Sequence, residues 1–486
     1  MTSRDQPNRR TFLATCTAGM TIPYLATDLE PSYDSLRSLA SAIRTRKISS
    51  VEAVTHCLAR IDNVNPKINA VVALQADRAQ TAAKLADQDL RRGKVHGPLH
   101  GVPFTSKDSF DTAGLVSTAG TLGWAHRIPV KDATIVARLK GAGGILIGKT
   151  NTPEFTWSDE TDNAVYGRTN NPYDLTRTTG GSSGGAVAAV ATGCVPFDIG
   201  SDTGNSIRMP AHNCGVAGLK PTHGRIPKTG HAISYRGIMQ SWTQVGPIAR
   251  YVDDLALLLP ILAGDDQEDP YAAPVGLRDP NLVSVRSLRV VLFTDNGVRQ
   301  PTAATVEAVK AAARALEQAG AHVEERLPAG LARANELWHL VAGADGGAWL
   351  KRLLSAAGTA NGGTVSSWFA DAKPVTSEQL GAWVEEIDQV RGELRQMMSA
   401  IDLIVCPVMP VPAVKHGGSL AADYGDSYNE PHNITGWPAG TVRAGTSPEG
   451  LPIGVQLVAP AWREDLVLAG LRVVERSLGG FRPPAL

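Results

Sequence analysis

The sequence predicts an α/β protein with a single large domain, in which a mixed, mostly parallel β-sheet is covered by α-helices on both faces. Segments with helical periodicity alternate with short apolar segments typical of buried strands along most of the 486-residue chain. The chain has no internal repeat and no low-complexity linker, as expected for one domain rather than an array of small ones.

The predicted elements follow one another from residue 36 onward. Apolar residues recur at helical spacing over residues 36–43, and Ser49 followed by Glu52 is the signature of a capping box at the start of a second helix. The other predicted elements are strands over 68–74, 145–147, 195–199, 288–293, 403–405 and 455–457, and helices over 76–92, 132–140, 187–193 and 303–319.

Two segments stand apart from this alternation. Residues 265–286 are rich in Asp, Pro and Gly and are predicted to form a long surface loop. Residues 331–385 are predicted to form a helical insertion that contributes to a substrate pocket, and they carry four tryptophans: Trp338, Trp349, Trp368 and Trp383. Tryptophans in helices are more often part of a core, so the substrate itself is left open.

Composition excludes several classes of protein. With 43% hydrophobic and 19% charged residues, the chain is neither disordered nor fibrous. Basic and acidic residues both number 47, so no overall charge attracts nucleic acid. The five cysteines form no CxxC pair, and the eleven histidines show no metal-binding spacing. We therefore expect no metal, no organic cofactor and buried, unpaired cysteines.

The amino terminus has the pattern of a targeting segment. Arg9 and Arg10 precede Thr11-Phe12-Leu13 and a mildly apolar stretch, which resembles a twin-arginine export signal. We expect residues 1–27 to be that signal, residues 28–486 to be the folded domain, and the mature protein to lie in the periplasm. The alternative is a flexible basic terminus on a cytoplasmic protein. The apolar stretch is too short for a stable membrane anchor.

Three glycine- and serine-rich motifs occur in a fixed order. They are GVPFTSKD over residues 101–108, TTGGSSGG over 178–185 and GSDTGNSIRMPA over 200–211. Together they resemble the amidase signature family. The resemblance extends over roughly residues 34–475, with its core over 95–260, through further motifs at 148–154, 218–222, 246–250 and 451–456.

The resemblance implies a catalytic triad with Ser206 as the nucleophile, Ser182 as a bridging serine after a cis peptide bond, and Lys107 as the base. It implies hydrolysis of a small-molecule carboxylic amide through an acyl-enzyme on Ser206, with esters or carbamates as side substrates. It also implies action on linear amides without any cofactor, by a monomer or homodimer.

Elementary chemistry supports these roles. A serine hydroxyl is a poor nucleophile until a neighbouring base takes its proton. Lysine is such a base only when it is neutral, so burial must lower its pKa. No histidine is expected in this relay. The backbone N–H groups after the predicted strand are suited to an oxyanion hole, and the family's donors lie there too, at Thr203, Gly204, Asn205 and Ser206.

Four further residues are predicted to support the site. Asp202 and Arg208 are expected to hold the loop by an ion pair, and Ser183 and Thr179 to orient the relay through hydroxyl contacts. Asn205 departs from the family, which usually has glycine directly before the nucleophile. Asparagine tolerates a left-handed backbone, but its amide would project near the acyl pocket. A catalytically weakened, amidase-like binding protein is therefore a second hypothesis.

Two other enzymes are alternatives. Residues 181–185 match G-x-S-x-G, which would make Ser183 the nucleophile of an α/β-hydrolase-type esterase with His416 or His432 as its base. The glutaminase subunit of a tRNA amidotransferase shares the family's core, although a protein that charges tRNA would not be exported.

Overall fold

An eight-stranded mixed β-sheet forms the centre of the described residues. The computed structural model of the chain describes residues 33–234, 236–359, 365, 372–417 and 427–486, and residues 31–486 form one compact unit. The predicted export signal over residues 1–27 lies outside the described residues.

The secondary structure follows the predicted alternation. The α-helices of the described residues are α1 (Leu36–Arg44), α2 (Ser50–Ile68), α3 (Ala76–Arg91), α4 (Thr134–Gly141), α5 (Gly184–Ala191), α6 (Arg208–Asn213), α7 (Val252–Leu262), α8 (Ala303–Gln318), α9 (Leu331–Ala342), α10 (Ala348–Ala357), α11 (Ser377–Met397), α12 (Glu430–Ile434) and α13 (Glu464–Leu478). The strands are β1 (Val71–Leu74), β2 (Pro103–Lys107), β3 (Ile145–Thr150), β4 (Asn170–Asn171), β5 (Asp174–Thr178), β6 (Phe197–Asp202), β7 (Ala217–Lys220), β8 (Gln244–Ala249), β9 (Arg289–Leu292), β10 (His322–Glu325), β11 (Leu403–Pro407), β12 (Ala439–Thr446) and β13 (Pro452–Val458).

The mixed sheet is confirmed, but its predicted mostly parallel character is wrong. The strand order is β10-β9-β11-β13-β12-β7-β8-β6. Within the described chain, β9 pairs in parallel with β10 and β11, whereas the other five pairings in this sheet are antiparallel. The reason lies in the connections. Helix α8 joins β9 to β10 and permits a parallel crossover, but the tight turn over residues 447–451 joins β12 directly to β13 and makes that pair antiparallel.

Helices cover both faces of the sheet, as predicted. On one face, Gly440 of β12 lies against Val467 and Leu471 of α13. On the other face, Gly454 of β13 lies against His212 of α6. At both positions a β-carbon would lie within 3.0 Å of the helix residue, so glycine allows the helix to approach the strand closely.

A second, three-stranded sheet has the order β1-β3-β2 and carries one half of the site. The Thr105 hydroxyl of β2 donates to Asp198 Oδ2 of β6 at 2.6 Å. This bond holds β2 beside β6, so Lys107 at the end of β2 lies close to the loop that follows β6. The predicted capping box of α2 is also present, because Ser49 Oγ accepts from Glu52 N at 3.1 Å and Glu52 Oε2 accepts from Ser49 N at 2.7 Å.

The two segments set apart in the sequence have the expected local structure. Residues 265–286 contain neither an α-helix nor a strand among their described positions, only short 3₁₀ turns. The predicted insertion begins with α9 and α10 and continues into α11, between β10 and β11. Trp368 lies outside the described residues.

Four of the five cysteines lie in the described residues. Cys57, Cys194, Cys214 and Cys406 are buried free thiols, and Cys16 lies outside the described residues. Among the residues that the structure describes, no helix is long and apolar enough to cross a membrane.

Candidate active site

Lys107 lies at the end of β2 with its ammonium group among serine hydroxyls. Its Nζ is 2.7 Å from Ser182 Oγ, 3.0 Å from Ser183 Oγ and 3.0 Å from Ser201 Oγ. The side chain is completely buried. Two of these three partners were predicted. Ser201 was missed, although it stands in the same motif as Ser206, directly before Asp202.

Burial lowers the pKa of Lys107 well below its ordinary value, although the negative charges of Asp202 and Asp198 oppose the shift. Neither carboxylate forms an ion pair with the Lys107 ammonium group in the described residues. A buried lysine surrounded by neutral hydroxyls loses its proton more readily than one that is paired with a carboxylate. Lys107 therefore has the environment that a neutral amine base requires.

The glycine–serine segment brings Ser182 and Ser183 to this lysine. The peptide bond between Gly181 and Ser182 is cis, as the resemblance implied. The Thr152 hydroxyl donates to the Ser182 carbonyl oxygen at 3.0 Å. Ser183 N donates to the Ser206 carbonyl oxygen at 3.2 Å, so the two serine-containing loops are joined through their backbones.

Loop 203–206, which follows β6, is held by its carbonyl groups. Three of them accept hydrogen bonds, in order, from Trp338 Nε1 at 3.0 Å, from Arg208 Nη2 at 2.7 Å and from Met209 N at 2.8 Å. Each planar peptide group points its N–H opposite to its C=O. These bonds fix the peptide groups whose N–H groups belong to Gly204, Asn205 and Ser206, the residues where oxyanion donors are expected.

The buried ion pair that was predicted beside the loop is present. Arg208 binds both carboxylate oxygens of Asp202, at 3.0 and 2.9 Å, and both side chains are completely buried. Burial opposes ionisation of Asp202, yet the Arg208 guanidinium outweighs it and lowers the pKa of Asp202 to about 2. Asp202 Oδ2 also accepts from Ile207 N at 3.1 Å. This pair stabilises the loop and leaves no proton to exchange near neutral pH.

Asn205 lies between the nucleophile and an acidic residue that sequence reasoning missed. Its Nδ2 donates to Asp159 Oδ1 at 3.0 Å, and its Oδ1 accepts from Ser206 Oγ at 3.4 Å. The second bond is long and therefore weak. Asp159 gave no signal in the sequence because it lies outside every motif named above.

A cavity opens directly onto Ser206. Its walls combine two tryptophans, two acidic side chains and the 203–206 loop, and the lining residues are Thr156, Trp157, Ser158, Asp159, Thr203, Gly204, Asn205, Ser206, Trp338 and Glu430. Trp338 comes from the predicted helical insertion. Glu430 was not predicted, because it lies in α12, outside every motif that was quoted from the sequence.

Two supporting contacts differ from expectation. The Thr179 hydroxyl donates to the Gly180 carbonyl oxygen at 3.1 Å rather than to a relay group, so Thr179 acts on the loop backbone. Ser201 Oγ also lies 3.0 Å from His231 Nε2. A histidine therefore borders the lysine cluster, and burial keeps its pKa well below the ordinary value.

The esterase alternative depends on a histidine beside Ser183. Ser183 Oγ instead contacts Lys107 and donates to the Ser201 carbonyl oxygen at 3.3 Å. His416 pairs with Glu160, and both ring nitrogens of His432 are without partners in the described structure. The group that could activate Ser183 is thus a lysine. The described residues also contain no cluster of three or more His, Cys, Asp or Glu side chains arranged to hold a metal ion.

Comparisons with known proteins agree with the fold. Residues 52–468 match the family described as Amidase. A glutamyl-tRNA(Gln) amidotransferase subunit of Picosynechococcus sp. is 31% identical over 483 residues, covering 91% of this chain and 98% of that protein. An acylamidase of Rhodococcus erythropolis is 35% identical over 458 residues, covering 89% and 93%. The solved structure of 6-aminohexanoate cyclic dimer hydrolase with its substrate matches with a TM-score of 0.82 at 29% identity, covering 93% and 99%.

The fold and the family match define an amidase-family hydrolase. The chain belongs to the amidase signature family. Its relatives in that family act on amide bonds in different kinds of molecule.

Proposed function

We propose that this protein is an amidase that hydrolyses the C–N bond of linear carboxylic amides through an acyl-enzyme on Ser206, with esters or carbamates as side substrates. The observation that carries the proposal is the cluster around Lys107. A fully buried amine with a lowered pKa lies 2.7 Å from Ser182 Oγ, and Ser182 belongs to a loop that is bonded to Ser206.

The proposed reaction begins when Ser206 Oγ attacks the substrate carbonyl carbon. Its proton passes to Ser182, and the Ser182 proton passes to Lys107, so that the lysine becomes an ammonium. The oxyanion that forms is bound by N–H groups of the 203–206 loop. The C–N bond then breaks, the proton returns along the same path to the leaving amine, and an ester on Ser206 remains. Water hydrolyses that ester with Lys107 again as the base.

One rearrangement must precede the attack. The Ser206 hydroxyl is directed to Asn205 Oδ1 at 3.4 Å, whereas the proposed relay needs it directed to Ser182. Turning the Ser206 hydroxyl away from Asn205 gives up only a long, weak hydrogen bond.

The direct test is turnover by the purified chain on aryl amides, peptide amides, esters and carbamates, with release of the amine or alcohol measured for each. We expect amide cleavage that disappears in Ser206→Ala, while that variant melts at the wild-type temperature. Binding of amides without turnover in the wild type would instead favour the weakened, amidase-like binding protein.

The likeness to a glutamyl-tRNA(Gln) amidotransferase component makes glutamine hydrolysis a second candidate. Such a component would require partner proteins for amide transfer, whereas the proposed amidase cleaves simple amides alone. Activity restricted to glutamine would therefore replace the first proposal with the second.

We further propose that residues 1–27 direct export by the twin-arginine route. Fractionation of cells that express the full chain, beside a variant with Arg9→Lys and Arg10→Lys, tests this. Periplasmic wild type and a cytoplasmic variant are expected. Cytoplasmic location of both would contradict it.

A further inference from the structure

A carboxyl group faces the cavity beside the oxyanion loop. Glu430 is 1% exposed and lines the same cavity as Ser206. Its Oε2 accepts from the backbone N–H of Asn429 at 3.2 Å. The backbone N–H of Glu430 itself also bonds to this carboxyl group. Oε1 lies 3.5 Å from the point that a β-carbon on Gly204 would occupy, so this oxygen lies on the cavity wall beside the oxyanion loop.

No cation of the described protein neutralises Glu430. The nearest candidate is Arg208, but its N–H groups are directed elsewhere: to Asp202, Gly204 O, Asn429 O, Gln456 and Asn433. Burial raises the pKa of Glu430 and the charge of Asp159 adds to that effect, whereas two backbone N–H bonds and the more distant charge of Arg208 oppose it. A buried carboxylate beside a second acid is stabilised most by a positively charged group on a bound ligand.

The rest of the cavity wall is also suited to binding a cation. Asp159 contributes a second carboxylate, and Trp157 and Trp338 contribute indole rings. Indole faces attract cations, most strongly when the cation is removed from water. Carboxylates and aromatic rings together bind alkylammonium groups, whereas they offer no positive group to a substrate that carries a carboxylate.

We propose that this cavity selects amide substrates that carry a protonated amine a few bonds from the scissile carbonyl, and that Glu430 is the residue that binds the ammonium group. The inference rests on the proposed amide hydrolysis, because it assigns a substrate class to that site. Since Glu430 Oε1 lies beside Gly204, the amine must be attached by a short chain.

The test compares pairs of p-nitroanilides of equal shape at neutral pH. Glycyl, β-alanyl and γ-aminobutyryl anilides carry an ammonium group where propionyl, butyryl and pentanoyl anilides carry a methyl group. In the wild type we expect the ratio of kcat/KM within at least one pair to favour the amine. In Glu430→Gln that ratio should fall about ten- to hundredfold, the range of a charge-assisted hydrogen bond. Glu336→Gln, an exposed acid on α9, is the control and should keep the wild-type ratio.

Two results would overturn the proposal: wild-type ratios that favour the methyl compounds throughout, or a ratio that Glu430→Gln leaves unchanged. If Glu430→Gln does not fold, inhibition of the wild type by butylammonium against butanol decides instead, and equal inhibition counts against the proposal. If the wild type cleaves neither these anilides nor any other amide, the proposed hydrolysis fails. Stabilisation of the wild type against heat by butylammonium but not by butanol would then still support the cation site, and equal effects would contradict it.

Discussion

Two buried basic side chains lie beside the loop that carries Ser206, and they have different surroundings. Lys107 meets three serine hydroxyls. Arg208 meets both oxygens of Asp202. Burial without a counter-ion favours loss of the lysine proton, whereas a bidentate carboxylate binds the guanidinium in a fixed geometry. The difference separates the group that can move a proton from the group that holds the loop in place.

Lys107→Arg, which puts an arginine at the lysine position, should lower activity more than any other substitution below. Lys107→Arg places a guanidinium that cannot deprotonate among the same hydroxyls. We expect kcat/KM for an aryl amide to fall by about 10⁴-fold or more, as when one member of a catalytic unit is lost. Steady-state kinetics with Ser206→Ala as the inactive reference measures this. Wild-type activity in Lys107→Arg would place the base elsewhere.

The two positions should differ in the opposite way in their effect on stability. Loss of Arg208 should destabilise the fold, and loss of Lys107 should not. Arg208→Met leaves the buried Asp202 carboxylate unpaired, and we expect a loss of about 3–5 kcal/mol in the free energy of unfolding. Lys107→Met removes an amine that is already costly to keep charged, and it should unfold at or above the wild-type denaturant midpoint. Equal destabilisation of both variants would remove the contrast between the two sites.

The serine partners of Lys107 should contribute unequally to activity. Ser182 is in the proposed proton path, whereas Ser183 donates to the Ser201 carbonyl oxygen and supports the cluster. We therefore expect Ser183→Ala to retain measurable turnover, with a loss of about tenfold, and Ser182→Ala to approach the inactive reference. An inactive Ser183→Ala, together with labelling of the wild type at Ser183, would revive the esterase alternative.

Asn205→Gly should have the smallest effect on catalysis. The Asn205 amide is engaged by Asp159 and Ser206, so it is not directed as an oxyanion donor. We expect kcat/KM to change by less than about tenfold, with a loss near 1 kcal/mol in stability from the Asp159 contact. Bulkier acyl groups should gain most. A uniform loss of about 10²–10³ in kcat across all substrates would instead show that the side-chain amide of Asn205 is an oxyanion donor.

What could be predicted from the sequence depended on whether a signal was local. Lys107, Ser182 and Ser206 each stand in a contiguous motif, and the capping box of α2 spans four residues, so the sequence was enough to single them out. Asp159 and Glu430 lie outside the motifs, and folding alone brings them to the site. Ser201 stands in the same motif as Ser206, but the motif does not show that its hydroxyl contacts Lys107. Strand direction was missed for a different reason. Residues 439–446 were not predicted as a strand, so the turn at 447–451 did not indicate an antiparallel pair with β13.

Lys107 is proposed to work as a neutral base for Ser206. The most direct test is the rate at which a sulfonyl fluoride labels Ser206, measured as a function of pH. Peptide mass shows that the label is on Ser206. The lysine is inactive while protonated, so the rate should rise with pH and reach a plateau once Lys107 has lost its proton. Lys107→Arg should remain unlabelled throughout. A pH-independent rate, or equal labelling of Lys107→Arg, would contradict the account.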